Sequence, residues 1–105
     1  MIAVDKETFQ AEVKETKGLV LVDFWSESCE TCKALMPEVL ALAEKYESQV
    51  KFTKLDVAKA RRLAIGEQVL GLPTILLYKD GQKVGEVNKD DATSDNIEAM
   101  IQKNL

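Results

Sequence analysis

The sequence predicts an α/β fold: a mixed sheet of about five strands with helices on both faces, in the order β-α-β-α-β-α-β-β-α. Three observations carry this. Helical stretches separate the early strands, so that part of the sheet is expected to be parallel. Leu19-Val20-Leu21-Val22 is apolar on both alternating faces, the pattern of a strand covered on both sides. Asp80-Gly81 lies between two short strand-like runs, a hairpin signal that adds antiparallel strands late in the chain.

Taken in order, Ile2 to Val4 is a short strand. Asp5 caps a helix to about Lys17, with Phe9 and Val13 four apart on one face, and Gly18 stops it. Leu19 to Trp25 is the doubly covered strand. A long helix runs from Cys29 or Glu30 to Tyr46, its stripe made by Leu35, Met36, Val39, Leu40, Ala43 and Tyr46. Pro37 interrupts it and is expected to kink it. Val50 to Leu55 reads as a strand and Ala58 to about Glu67 as a short helix. Thr74 to Tyr78 and Lys83 to Asn88 are the hairpin strands. The last helix runs from about Asp95 to Asn104; Asp95 and Glu98 have capping-box spacing, and Ile97, Met100 and Ile101 form its buried face.

At 105 residues the chain reads as one domain, 1–105. Apolar residues make up 46%, with only one Trp, two Tyr and three Phe, so the core is mainly aliphatic. The net charge is −4, which argues against nucleic acid or an anionic membrane as partner. No apolar run approaches the roughly 18 residues that span a bilayer. The start, Met1-Ile2-Ala3-Val4-Asp5-Lys6-Glu7, has neither the basic region nor the long apolar stretch of a signal peptide, so a cytoplasmic protein is expected.

The chemistry centres on Cys29-Glu30-Thr31-Cys32, directly after a buried strand and at the opening of a helix. A helix N-terminus offers unpaired N–H groups and partial positive charge, which stabilise a thiolate at Cys29. Cys32, one turn in, is placed to resolve a mixed disulfide. A structural zinc needs about four ligands, and the chain has no other Cys and no His, so no metal site is expected. Asp23 is an acid inside an apolar strand. If buried, its pKa rises and it can exchange a proton with Cys32; the alternative is a solvated strand end or a pair with Lys54. Trp25 is either core or a cover for the cysteine pair. Pro73, after Leu72, is either a turn device at a strand start or a cis peptide shaping a substrate groove.

Val22-Asp23-Phe24-Trp25, the Cys pair, Lys33, Pro37, Lys54, Gly71-Leu72-Pro73-Thr74 and Asp80-Gly81 together resemble the thioredoxin family, over essentially the whole chain. The resemblance implies the thioredoxin fold, Cys29 as nucleophile, Cys32 as resolving thiol, Asp23 as a buried proton relay with Lys54 nearby, and a cis peptide before Pro73. Trp25, Leu72 and Pro73 are the implied substrate-binding residues. It also implies disulfide-containing protein substrates, a separate flavoprotein reductase, a monomer and no bound cofactor. Four positions depart from the family pattern. Glu30-Thr31 replaces Gly-Pro, Ser28 replaces a second Trp, Ala58 replaces an Asp, and Lys89 replaces a Gly. Glu30, with Glu27, opposes thiolate formation at Cys29, so Glu30 and Thr31 are expected to set selectivity.

The leading function is a protein-disulfide reductase and electron carrier. A disulfide isomerase or oxidant is the second reading, disfavoured by the absence of His between the cysteines. A non-catalytic binding subunit is the third, disfavoured by the presence of both cysteines and Asp23.

Overall fold

Alternation of apolar side chains sends the residues of the central strands into two separate cores, and this organises the molecule. A computed structural model, which describes all 105 residues, contains one five-stranded sheet. The strands are β1 (Ile2–Val4), β2 (Leu19–Trp25), β3 (Val50–Asp56), β4 (Thr74–Lys79) and β5 (Gln82–Asn88), in spatial order β1-β3-β2-β4-β5. β3 pairs in parallel with both β1 and β2. β4 runs antiparallel to β2, and β5 to β4, as the hairpin signal predicts.

Helices α1 (Glu30–Lys45) and α3 (Ser94–Asn104) cover one face, over Leu19, Leu21, Ile75 and Leu77. Phe9, Val13, Ala60, Ala64 and Val69 cover the other, over Val20, Val22, Phe24, Leu76 and Tyr78; Ala64 belongs to helix α2 (Arg61–Gly66). β2 is buried from Leu19 through Phe24 for this reason. Each large apolar side chain so enclosed contributes roughly 1.5–3 kcal/mol.

Four local expectations are corrected. The helix expected over 5–17 is shorter. Asp5 Oδ1 does accept from the Glu7 and Thr8 N–H groups at 2.9 Å each, and Phe9 N–H donates to Asp5 O, but the winding ends at Lys14 in a wide turn over Gln10–Lys14, with Glu15 N–H donating to Gln10 O. The helix expected over 58–67 is split into a 3-10 turn, Val57–Lys59, and α2, because the Asp56 side chain caps the Ala58 N–H at 3.0 Å and Ala60, whose backbone is not helical, turns into the core. In α1, Leu40 is 45% exposed, and Leu42 takes the buried place. The stripe that packs is Leu35, Val39, Leu42 and Tyr46, spaced four, three and four; Pro37 lies on the exposed side and the helix continues through it. Finally, Thr93 caps α3 by accepting from Asn96 N–H at 3.2 Å. Glu98 is not a capping residue; it accepts from Lys45 Nζ and Tyr46 OH and ties α3 to α1.

Candidate active site

β2 ends beneath the start of α1, and the three-residue link Ser26-Glu27-Ser28 delivers Cys29 to the helix N-cap. Cys29 is extended there (φ −95°, ψ 100°), and its Sγ accepts from the Cys32 N–H at 3.2 Å. One of the free N–H groups of the helix end is thus aimed at this sulfur. The two cysteines form a disulfide with their Cα atoms 5.2 Å apart, the span of one helical turn. Their environments differ. Cys29 is partly exposed, whereas Cys32 is buried at 1% exposure.

The two residues between them act in opposite senses. Thr31 Oγ1 lies 3.4 Å from Cys29 Sγ, and since that sulfur has no hydrogen in the disulfide, the hydroxyl donates. Glu30 adds negative charge beside Cys29, but part of that charge is balanced. Its Oε1 lies 3.6 Å from Lys33 Nζ, one turn along the exposed face of α1.

Asp23 shares the sheet face of Leu19 and Leu21, which α1 covers, at the strand end where α1 begins. It is 1% exposed, and neither carboxylate oxygen has a hydrogen-bond partner. Burial pushes its pKa up to about 7; the Lys54 charge opposes this without cancelling it. Lys54 stands opposite Asp23 in the β2–β3 register yet makes no ion pair with it. Its Nζ sits 5.8 Å from the centre of the Trp25 ring instead. Both alternatives for Asp23, a solvated strand end and a salt bridge, are therefore absent. Trp25 is half-buried, with an indole N–H that is enclosed and lacks a partner.

The Leu72–Pro73 bond is cis. Pro73 is buried and Leu72 half-buried. Two hydrogen bonds hold this loop: Thr74 Oγ1 donates to Gly71 O at 2.6 Å, and Lys89 N–H donates to Pro73 O at 2.7 Å. A groove of about 320 Å³ brings the loop together with the cysteine approach, since Ser26 and Ser28 line one side and Gly71 and Leu72 another. Arg61, Ile65 and Leu70 complete its wall; sequence reasoning did not single them out. The available signal was the apolar Val69-Leu70 pair immediately before Gly71. No group of three or more His, Cys, Asp or Glu is arranged to hold a metal ion.

The structure thus combines a disulfide at a helix start, a cis-proline loop across a shared groove, a buried acid in the preceding strand, and a β-α-β sheet extended by a hairpin. The family model for thioredoxin matches residues 1–103. The chain belongs to the thioredoxin family. It is 61% identical over 103 residues to the thioredoxin of Acetoanaerobium sticklandii, covering 98% of each chain. To the thioredoxin of Peptoclostridium acidaminophilum it is 59% identical over 105 residues, covering all of this chain and 96% of the relative. The crystal structure of Fasciola hepatica thioredoxin superposes with a TM-score of 0.90 at 28% identity, each chain fully covered. The fold is the thioredoxin fold, and the chain is a thiol–disulfide oxidoreductase with disulfide-reductase activity, acting on disulfide substrates through dithiol/disulfide exchange at Cys29 and Cys32. No helix is long and apolar enough to cross a membrane.

Proposed function

We propose that Cys29 attacks the target disulfide and Cys32 resolves the intermediate, with Asp23 taking the resolving thiol's proton. The observation that carries this reading is the contrast between a partly exposed Cys29 at the helix N-cap and a buried Cys32 one turn inside. In the dithiol form, the Cys29 thiolate attacks one target sulfur and the other leaves as a thiolate. Asp23, as carboxylate, accepts the Cys32 proton. The Cys32 sulfur then attacks Cys29 Sγ, breaks the mixed disulfide and releases the second target thiol. The target gains two electrons, and the chain is left as the Cys29–Cys32 disulfide. A pKa near 7 leaves Asp23 able both to take and to return a proton at neutral pH.

Trp25, Leu72 and Pro73 form the surface on which the target segment rests, with Lys54 holding the Trp25 ring by its charge. Glu30 and Thr31 tune the Cys29 thiolate, one against it and one for it. A separate flavoprotein reductase returns two electrons to the disulfide. The 105 residues work as one domain and as a monomer in the cytoplasm.

The test is trapping. Cys32→Ser should accumulate mixed disulfides between Cys29 and its targets, while Cys29→Ser should trap none and reduce nothing. Trapping in the Cys29→Ser variant alone would falsify the assignment of the two thiols.

A further inference from the structure

The groove that runs past Ser28, the residue before Cys29, has two small side chains in its wall, Ser28 and Ala58. The exposed faces of Ile65 (64%) and Leu70 (84%) leave apolar surface in the same wall with no covering side chain. An apolar side chain entering there would gain burial.

Two cations stand at that groove, although the chain as a whole carries −4. Arg61 belongs to the wall. Lys89 reaches it from β5's end. Its backbone is held in the left-handed region, φ +51°, and anchored by its N–H on Pro73 O. A non-glycine residue adopts that conformation at a cost. Its side chain lies across Gly71: a Cβ there would fall 2.5 Å from Lys89 Cε and 3.5 Å from Nζ. Gly71 thus leaves room for the lysine, and the ammonium stands over the loop that ends in Pro73. Neither Arg61 nor Lys89 takes part in any of the four ion pairs of the fold. The acids around it are Glu27, exposed between Ser26 and Ser28, Asp56, whose Oδ1 accepts from the Ala58 N–H, and the exposed Asp90 and Asp91; none of them pairs with Arg61 or Lys89, and Glu30 is engaged by Lys33 on the cysteine side.

We propose that Arg61 and Lys89 are specificity-determining residues that select target segments carrying an acidic side chain, with a large apolar neighbour, beside the disulfide to be reduced. The apolar side chain seats against Ile65 and Leu70, and the acid meets the two cations at the rim. The proposal rests on the reading of Cys29 as the attacking thiol, because only then does the target lie along this groove.

Two disulfide-bridged peptides test it, identical except that one carries Leu-Asp-Glu and the other Leu-Lys-Lys next to the half-cystine. The readout is the ratio of kcat/KM for acidic over basic peptide, with dithiothreitol as reductant, which cancels any general change in thiol reactivity. The wild-type chain should favour the acidic peptide about five-fold at low salt, fading as salt screens the rim. Lys89→Gly should lower the ratio, and Arg61→Glu with Lys89→Glu should invert it. Replacing Leu by Gly in the acidic peptide should raise KM. A wild-type ratio near one, or a ratio that the double reversal leaves unchanged, overturns the proposal. Capture of the acidic peptide as a mixed disulfide in the Cys29→Ser variant and not in Cys32→Ser would instead overturn the thiol assignment, and the proposal with it.

Discussion

Asp23 holds the least compensated group in the molecule: a carboxyl at 1% exposure with no hydrogen-bond donor on either oxygen. Its pKa is raised from 3.8 to about 7, so between those values the folded chain keeps a proton that the unfolded chain has lost. Stability is then fully present at the acid end of this window and falls as the pH rises toward 7, by a few kcal/mol in all. Asp23→Asn should abolish that slope. Urea unfolding should show the variant gaining about 2 kcal/mol on wild type between pH 5 and pH 8. Equal slopes in the two proteins would mean that the carboxyl is solvated in solution. Catalysis should move the other way, with slower resolution at Cys32. Thr31 offers a second residue-scale test. Its hydroxyl, 3.4 Å from Cys29 Sγ, can donate to the thiolate, and valine keeps the shape without the donor. Thr31→Val should raise the Cys29 pKa by roughly half a unit, read from thiolate absorbance against pH.

Elements are held by a few positions at which the backbone leaves no choice. The β4–β5 turn places Asp80 at φ +52° and Gly81 at φ +82°, the pair of left-handed residues that matches the twist of the flanking strands. Asp80 also accepts from the Gly18 N–H at 2.7 Å, which joins this turn to the entry of β2. A Cβ at Gly81 would overlap the carbonyl of Lys14. Gly81→Ala should therefore cost at least about 2 kcal/mol, measured by denaturant unfolding, with no change in thiol chemistry. Pro37 works in the opposite direction. It sits inside α1 on the exposed side and withholds one backbone donor from an otherwise continuous helix. Pro37→Ala should stabilise by about 1–2 kcal/mol, the helix gain being partly offset by the freer unfolded chain. An unchanged midpoint would show that the helix had already absorbed the missing bond.

For the whole molecule, the question is which surfaces meet a partner. The cysteine turn projects Glu30 into solvent and balances it with Lys33, so this face presents a charge pair where the family pattern has an uncharged Gly-Pro turn. A reductase matched to a neutral turn meets a desolvation cost here, and such costs separate partners effectively. Replacing Glu30-Thr31 by Gly-Pro changes two opposed influences on Cys29, so the thiol pKa should move by less than either residue alone would move it. Partner choice should shift further than reactivity. Turnover should rise with a reductase suited to the Gly-Pro turn and fall with the one that serves this chain. Unchanged turnover with both would show that the two residues have no part in recognition.

The sequence by itself determined the layered architecture and the thiol chemistry, because both are encoded in short-range pattern. The apolar run Leu19–Val22, the Asp80-Gly81 turn and the spacing of Cys29 and Cys32 each act within a few residues, and the structure follows them. Local pattern failed where a distant group competed for the same atom or surface. Glu98 has capping spacing from Asp95, yet Lys45 and Tyr46, about fifty residues away, claim its carboxylate. Leu40 fits a helical stripe, but the sheet beneath α1 accepts Leu42 instead. No local pattern encodes that Asp23 is buried without a partner while Lys54 turns to Trp25, or that Lys89 lies across Gly71. Burial and charge proximity depend on which elements the fold stacks together, and these residues lie far apart along the chain.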